Sequence, residues 1–210
     1  MTDYAPTRSA PCALLILAHG AGAGQHSPFM KRVARDIADR GVAVTTFDFP
    51  YMAARRKLPD KAPVLEQAWR DTIDAVRSRA ELRDLPLFIG GKSMGGRIAS
   101  QVASSGATGV AGLVFLGYPL HPPGKPEQRR DAHLGAIGEP MLFVQGERDA
   151  FGTAAEIHEL LTRFAGRATL HVVAGGDHSF NVPASARRTR DDVHREVAAA
   201  VAVWIRRAVE

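Results

Sequence analysis

Apolar runs and amphipathic stretches alternate along most of the chain. Residues 13–18 (Ala-Leu-Leu-Ile-Leu-Ala) are apolar throughout, as a strand buried on both faces must be. Similar short runs at 42–47, 86–90, 110–116, 141–144 and 170–173 predict five more strands. Between them the period changes to that of a helix. Phe29, Val33 and Ile37 recur every fourth position after Pro28, and Gly41 closes a helix of about 28–40. Leu65, Trp69, Ile73 and Val76 mark a helix over about 63–82. Helices are also predicted over 94–104, 153–165 and 191–208, the last through Val193, Val197, Val201, Trp204 and Ile205. Residues 1–11, with two prolines, read as a flexible lead-in. Segments 49–62 and 118–139, both proline-bearing, read as loops.

Six strands alternating with helices predict one α/β domain over 12–210: a mostly parallel sheet with helices on both faces. Ligands of such sheets sit at the carboxyl ends of the strands, so the chemistry should be sought there. The run 85–89 leads into Gly90-Gly91-Lys92-Ser93-Met94-Gly95-Gly96, and a helix follows. This is G-x-S-x-G in a strand–turn–helix setting, the pattern of a nucleophile elbow. Such a tight turn admits only small residues beside the nucleophile, and Gly91 and Gly95 supply them.

A serine hydroxyl is a weak nucleophile at neutral pH and needs a base and an acid that orients the base. His178 follows the last predicted strand, and Asp149 follows the one before it. Glu147 competes with Asp149 but sits closer to its strand. His19, His26, His121, His158, His171 and His194 are weaker choices for the base. The order serine, aspartate, histidine is that of hydrolases built on an elbow. An oxyanion hole needs two backbone N–H groups. Met94 offers one, and the loop His19-Gly20-Ala21-Gly22-Ala23-Gly24 offers the other through Ala21, with Gly22 next. His19 is expected to brace that loop.

Rival motifs fail on spacing. In G-x-G-x-x-G the third glycine would fall on Gln25 or Ser27. A phosphate loop ending at Lys92-Ser93 would need glycine where Pro86 stands. No zinc-protease spacing occurs, and no cofactor or metal is expected. The single cysteine, Cys12, excludes an internal disulfide and suggests a reducing compartment. The net charge of +5 comes without a nucleic-acid-binding motif, so no nucleic-acid partner is expected. No apolar run reaches the ~20 residues of a membrane span and no signal segment opens the chain, which predicts a cytoplasmic protein. A homodimer is compatible with the sequence.

Several segments together carry a family resemblance: His19-Gly20-Ala21-Gly22, the run 91–95, Tyr118-Pro119-Leu120-His121 and the run 139–146. Over about 12–205 the chain resembles the α/β-hydrolase superfamily and, within it, the dienelactone-hydrolase-like group. More narrowly it is similar to the hydrolase-like proteins that include a testis-expressed member and a regulatory subunit of the NSL chromatin complex, with bacterial relatives. Dienelactone hydrolases proper use a cysteine nucleophile, whereas this chain has Ser93. The resemblance implies a serine hydrolase without a cap domain, since only about 20 residues are available after the strand ending near Gly117. The site is expected to be shallow, walled by Tyr118, Leu120, His121 and the 49–58 loop, with Met94 and Phe180 toward the acyl group. Small esters or thioesters are the expected substrates. The alternatives are a small-peptide or amide hydrolase and a non-catalytic interaction module.

Overall fold

The computed structural model describes residues 1–106, 109–164 and 166–210. The six apolar runs form parallel strands β2 (Ala13–Ala18), β3 (Val42–Phe47), β4 (Leu87–Lys92), β5 (Gly112–Leu116), β6 (Met141–Gly146) and β7 (Ala168–Val173). The first five are buried along nearly their whole length, as parallel strands covered on both faces must be. A further strand, β1 (Thr2–Tyr4), pairs antiparallel with β3, Thr2 opposite Thr46. The sheet order is β1-β3-β2-β4-β5-β6-β7.

The lead-in is therefore not wholly flexible. Without β1, the outer edge of β3 would present a row of unpaired backbone groups. Thr45 donates to Asp3 Oδ1 at 2.7 Å, and Arg79 pairs with Asp3 at 2.9 Å, which pins the strand. Three residues with no apolar alternation gave no period to read.

The helices divide between the two faces. α1 (Pro28–Ala38) and α6 (Arg190–Val209) pack against the face carrying Leu15, Leu17, Val114 and Val144. α3 (Ala62–Arg77), α4 (Met94–Ser104) and α5 (Ala154–Leu161) cover the face carrying Ile16, Ile89, Phe115 and Phe143. Caps fix several of these starts. Ser27 accepts from Met30 N ahead of Pro28, and Thr153 forms a reciprocal cap with Glu156. The segment read as a loop after β3 contains a one-turn helix, α2 (Pro50–Ala53), and 132–136 forms a 3-10 turn. The predicted end of α5 at Ala165 lies outside the described residues. No helix among the described residues is long and apolar enough to cross a membrane.

Candidate active site

β4 and α4 meet at Ser93, whose backbone stands at φ 50° and ψ −116°. That is left-handed space which residues other than glycine rarely enter, and it concentrates at functional turns. The turn is crowded: a Cβ on Gly91 would lie 2.4 Å from Ala18 O, and one on Gly95 2.6 Å from the same oxygen. Only hydrogen fits at either place, which allows the end of β2, paired beside β4, to lie against the elbow. The first turn of α4 begins one residue later, so its positive end points at the serine oxygen.

His178 enters from the loop after β7 and Asp149 from the loop after β6. His178 Nε2 lies 2.8 Å from Ser93 Oγ, and its Nδ1 lies 2.8 Å from Asp149 Oδ2. An ionised carboxylate can only accept, so it holds the imidazole proton on Nδ1 and leaves the Nε2 lone pair for the hydroxyl. Asp149 is fully buried, and both its oxygens are bound. Oδ1 accepts from Phe151 N at 2.8 Å, and Oδ2 also accepts from Gln145 Nε2 at 3.0 Å. Glu147 instead takes Gly175 N. The Phe151 ring lies against the His178 imidazole, centroids 4.2 Å apart.

The loop after β2 is braced from behind. His19 accepts from Phe49 N at Nε2 (3.1 Å), which leaves Nδ1 to donate to Gly20 O (2.8 Å). Burial pushes its pKa down, so the ring is neutral and structural. Tyr51, on α2, donates to Ala21 O at 3.0 Å, and Asp48 accepts from Gln25 N at 2.8 Å. Ala21, Gly22 and Met94 border a cavity of about 760 Å³ beside Ser93. Neither Ala21 N–H nor Met94 N–H donates to a protein acceptor among the described residues.

Residues 11–206 match the sequence profile of the family described as alpha/beta hydrolase domain. The chain belongs to that family. Within the alpha/beta hydrolases its fold is similar to that of a serine hydrolase without lid from Xanthomonas campestris (TM-score 0.74, 18% identity, 96% of this chain and 87% of that one). It is equally similar to a dienelactone hydrolase from Anabaena variabilis (TM-score 0.74, 19% identity, 98% and 89%). In sequence it is 26% identical over 176 residues to a Mycobacterium tuberculosis protein whose name proposes a phosphoribosyl transferase. That match takes in 82% of this chain but only 38% of the length of that relative.

Four expected wall residues of this alpha/beta hydrolase lie elsewhere. Tyr118 packs its ring against Phe115 and Phe143 and donates to Arg130 O at 2.7 Å. Leu120 is buried against Gly152. His121 is held between Pro122 O (2.9 Å) and Glu156 (3.0 Å). Phe180 turns away from the cavity at φ 60° and stacks on Phe29. All four follow a strand closely, but position at the rim does not decide which way a side chain points. The 49–58 loop likewise supports the loop after β2 and does not wall the cavity. The walls come instead from 20–23, 27–30, Arg97, Pro119, Arg130, Phe151 and the start of α6, where Arg190 and His194 lie. The cavity is accordingly larger than a shallow notch, and within the range of small-molecule sites.

Sequence reasoning also passed over Lys92. It borders the cavity, and its ammonium donates to His178 O at 2.5 Å and lies 5.3 Å from the Phe180 ring centre. Burial pushes its pKa down to about 8, although the Asp149 carboxylate opposes this. The only sequence signal was its place inside the elbow run.

Proposed function

We propose that the protein is a serine hydrolase cleaving small carboxylic esters or thioesters through Ser93, His178 and Asp149. The observation that carries this reading is the unbroken chain of two 2.8 Å contacts from Ser93 Oγ to the buried Asp149, starting from a strained elbow. In the proposed mechanism Ser93 Oγ attacks the acyl carbon as its proton passes to His178 Nε2. Asp149 stabilises the imidazolium. Negative charge develops on the former carbonyl oxygen, which accepts hydrogen bonds from the Met94 and Ala21 N–H groups. The imidazolium then protonates the leaving alkoxide or thiolate. Water, activated by the same imidazole, releases the acid from Ser93 and returns the hydroxyl.

Two neighbours add support from their names, one a serine hydrolase without lid and the other a hydrolase of a lactone, which is an internal ester. The transferase name of the mycobacterial relative is not carried over. This chain spans only 38% of the length of that protein, so a name given to the whole does not transfer to it.

Hydrolysis of p-nitrophenyl esters of two to twelve carbons tests the reading. Turnover is expected on the short chains. Ser93→Ala should lower kcat by about 10⁴-fold or more, Asp149→Asn by about 10⁴-fold, and Glu147→Gln by less than about twofold. Equal rates for wild type and Ser93→Ala on every chain length would refute it.

A further inference from the structure

The cavity beside Ser93 has a charge pattern that ester cleavage does not require. Its wall contains Lys92, Arg97, Arg130 and Arg190, and no aspartate or glutamate among the described residues. Two of these cations are already engaged: Lys92 with His178 O, and Arg190 with Asn181 Oδ1 at 3.3 Å. Arg97 and Arg130 are not paired with a carboxylate among the described residues. The neighbouring carboxylate, Asp131, is held by Arg129 (2.8 Å) and Arg163 (3.1 Å) on the other side of its segment.

Arg97 is the more telling of the two. Its Nε is buried and has no hydrogen-bond partner, and Nη1 makes a single 3.3 Å contact with Gln101. A guanidinium has five N–H donors in a planar fork, so most of its capacity is unmatched. Burial and the like charge of Arg130 both work against the Arg97 cation, and Tyr118 and Glu66 offset this only in part. Arg97 also lies one helical turn from Ser93, its N–H donating to Ser93 O at 3.1 Å. Arg97 therefore stands in the first turn of α4, directly after the elbow.

We propose that Arg97 and Arg130 form an anion subsite, and that the substrate is a small ester bearing an oxyanionic group a few bonds from its scissile carbonyl. A carboxylate or a phosphonate between the two guanidiniums would accept from their terminal Nη–H groups and relieve their mutual repulsion. Phe29, Met30, Met94 and Phe151 receive the apolar remainder. This assignment rests on reading Ser93 as the nucleophile.

Three ethyl esters of similar size test it: monoethyl succinate, ethyl 3-phosphonopropanoate and the neutral ethyl 4-oxopentanoate, followed by ethanol release. For at least one anionic ester, kcat/KM should exceed that of the neutral ester by about ten- to a hundredfold in the wild type, and the larger ratio identifies the anion. The ratio should fall toward one in Arg97→Gln and in Arg130→Gln, whereas Arg97→Lys should keep part of it. Each ratio is taken on one preparation, so a loss of folded protein cancels. A ratio near one in the wild type, or one that survives both glutamine variants, overturns the proposal. Calorimetric binding of succinate and 3-phosphonopropanoate to Ser93→Ala separates the two readings. Arginine-dependent binding with no ester cleaved by the wild type would sink the hydrolase reading and leave the subsite. Cleavage of all three esters at equal rates with no anion bound would do the reverse.

Discussion

Ser93 adopts a backbone conformation that suits glycine better than serine. Residues held there cost of order 1–3 kcal/mol, which exceeds the extra chain entropy a glycine brings. Ser93→Gly is therefore expected to melt at or above the wild-type temperature while losing ester turnover, and thermal melts beside a p-nitrophenyl acetate assay check both. A marked drop in melting temperature would mean that the elbow is not strained. The same scale explains why Asp149 was legible as the proposed acid and Phe151 was not as its neighbour. A carboxylate after a strand carries a chemical signal, whereas a phenylalanine two residues later looks like core until its ring is seen on the imidazole. Gln145 is similar. Its amide ties Asp149 Oδ2 to Gly152 O at 2.7 Å, a task that only the fold reveals.

The elements were readable where burial imposes a period. β2 to β6 read as largely apolar runs because both faces are covered, and α1, α3 and α6 showed their buried stripes. β1 and α2 were not readable, since three and four residues are too short to hold a pattern and both owe their form to tertiary partners. The walls of the cavity were misread for a related reason. The start of α6 reaches the cleft by packing on α1, a contact between opposite ends of the chain that no local pattern contains. The close approach of the end of β2 to the elbow gives an element-scale prediction. Gly91→Ala forces a methyl group into the Ala18 carbonyl and should cost about 2–3 kcal/mol, read as a shift in the denaturant midpoint. Gly22→Ala, with nothing within 4 Å of the added carbon, should cost less than about 1 kcal/mol. Similar costs for the two would mean that the elbow relaxes freely.

For the molecule as a whole, Lys92 links stability to pH. Below about pH 8 both the folded and the unfolded chain hold its proton. Between about 8 and 10.5 the unfolded chain keeps the proton and the folded one has released it, so the unfolded state binds more protons and stability rises with pH. Tyr51, pushed up to about 12 by burial, acts in the opposite sense above about pH 10. Denaturant titrations at pH 7, 8, 9 and 10 should therefore show wild type gaining up to about 3 kcal/mol relative to Lys92→Met. Parallel curves for the two proteins would remove Lys92 from the account. The strand order has a consequence in time. Ser93 and His178 are 85 residues apart, and Asp149 and His178 are 29 apart, on loops that converge only after β4, β5, β6 and β7 have paired through their crossovers. Parallel pairing of distant segments is slow compared with helix formation. On the proposed mechanism the Ser93 hydroxyl thus has no base beside it until β7 has docked, so a chain becomes reactive only at the end of its folding.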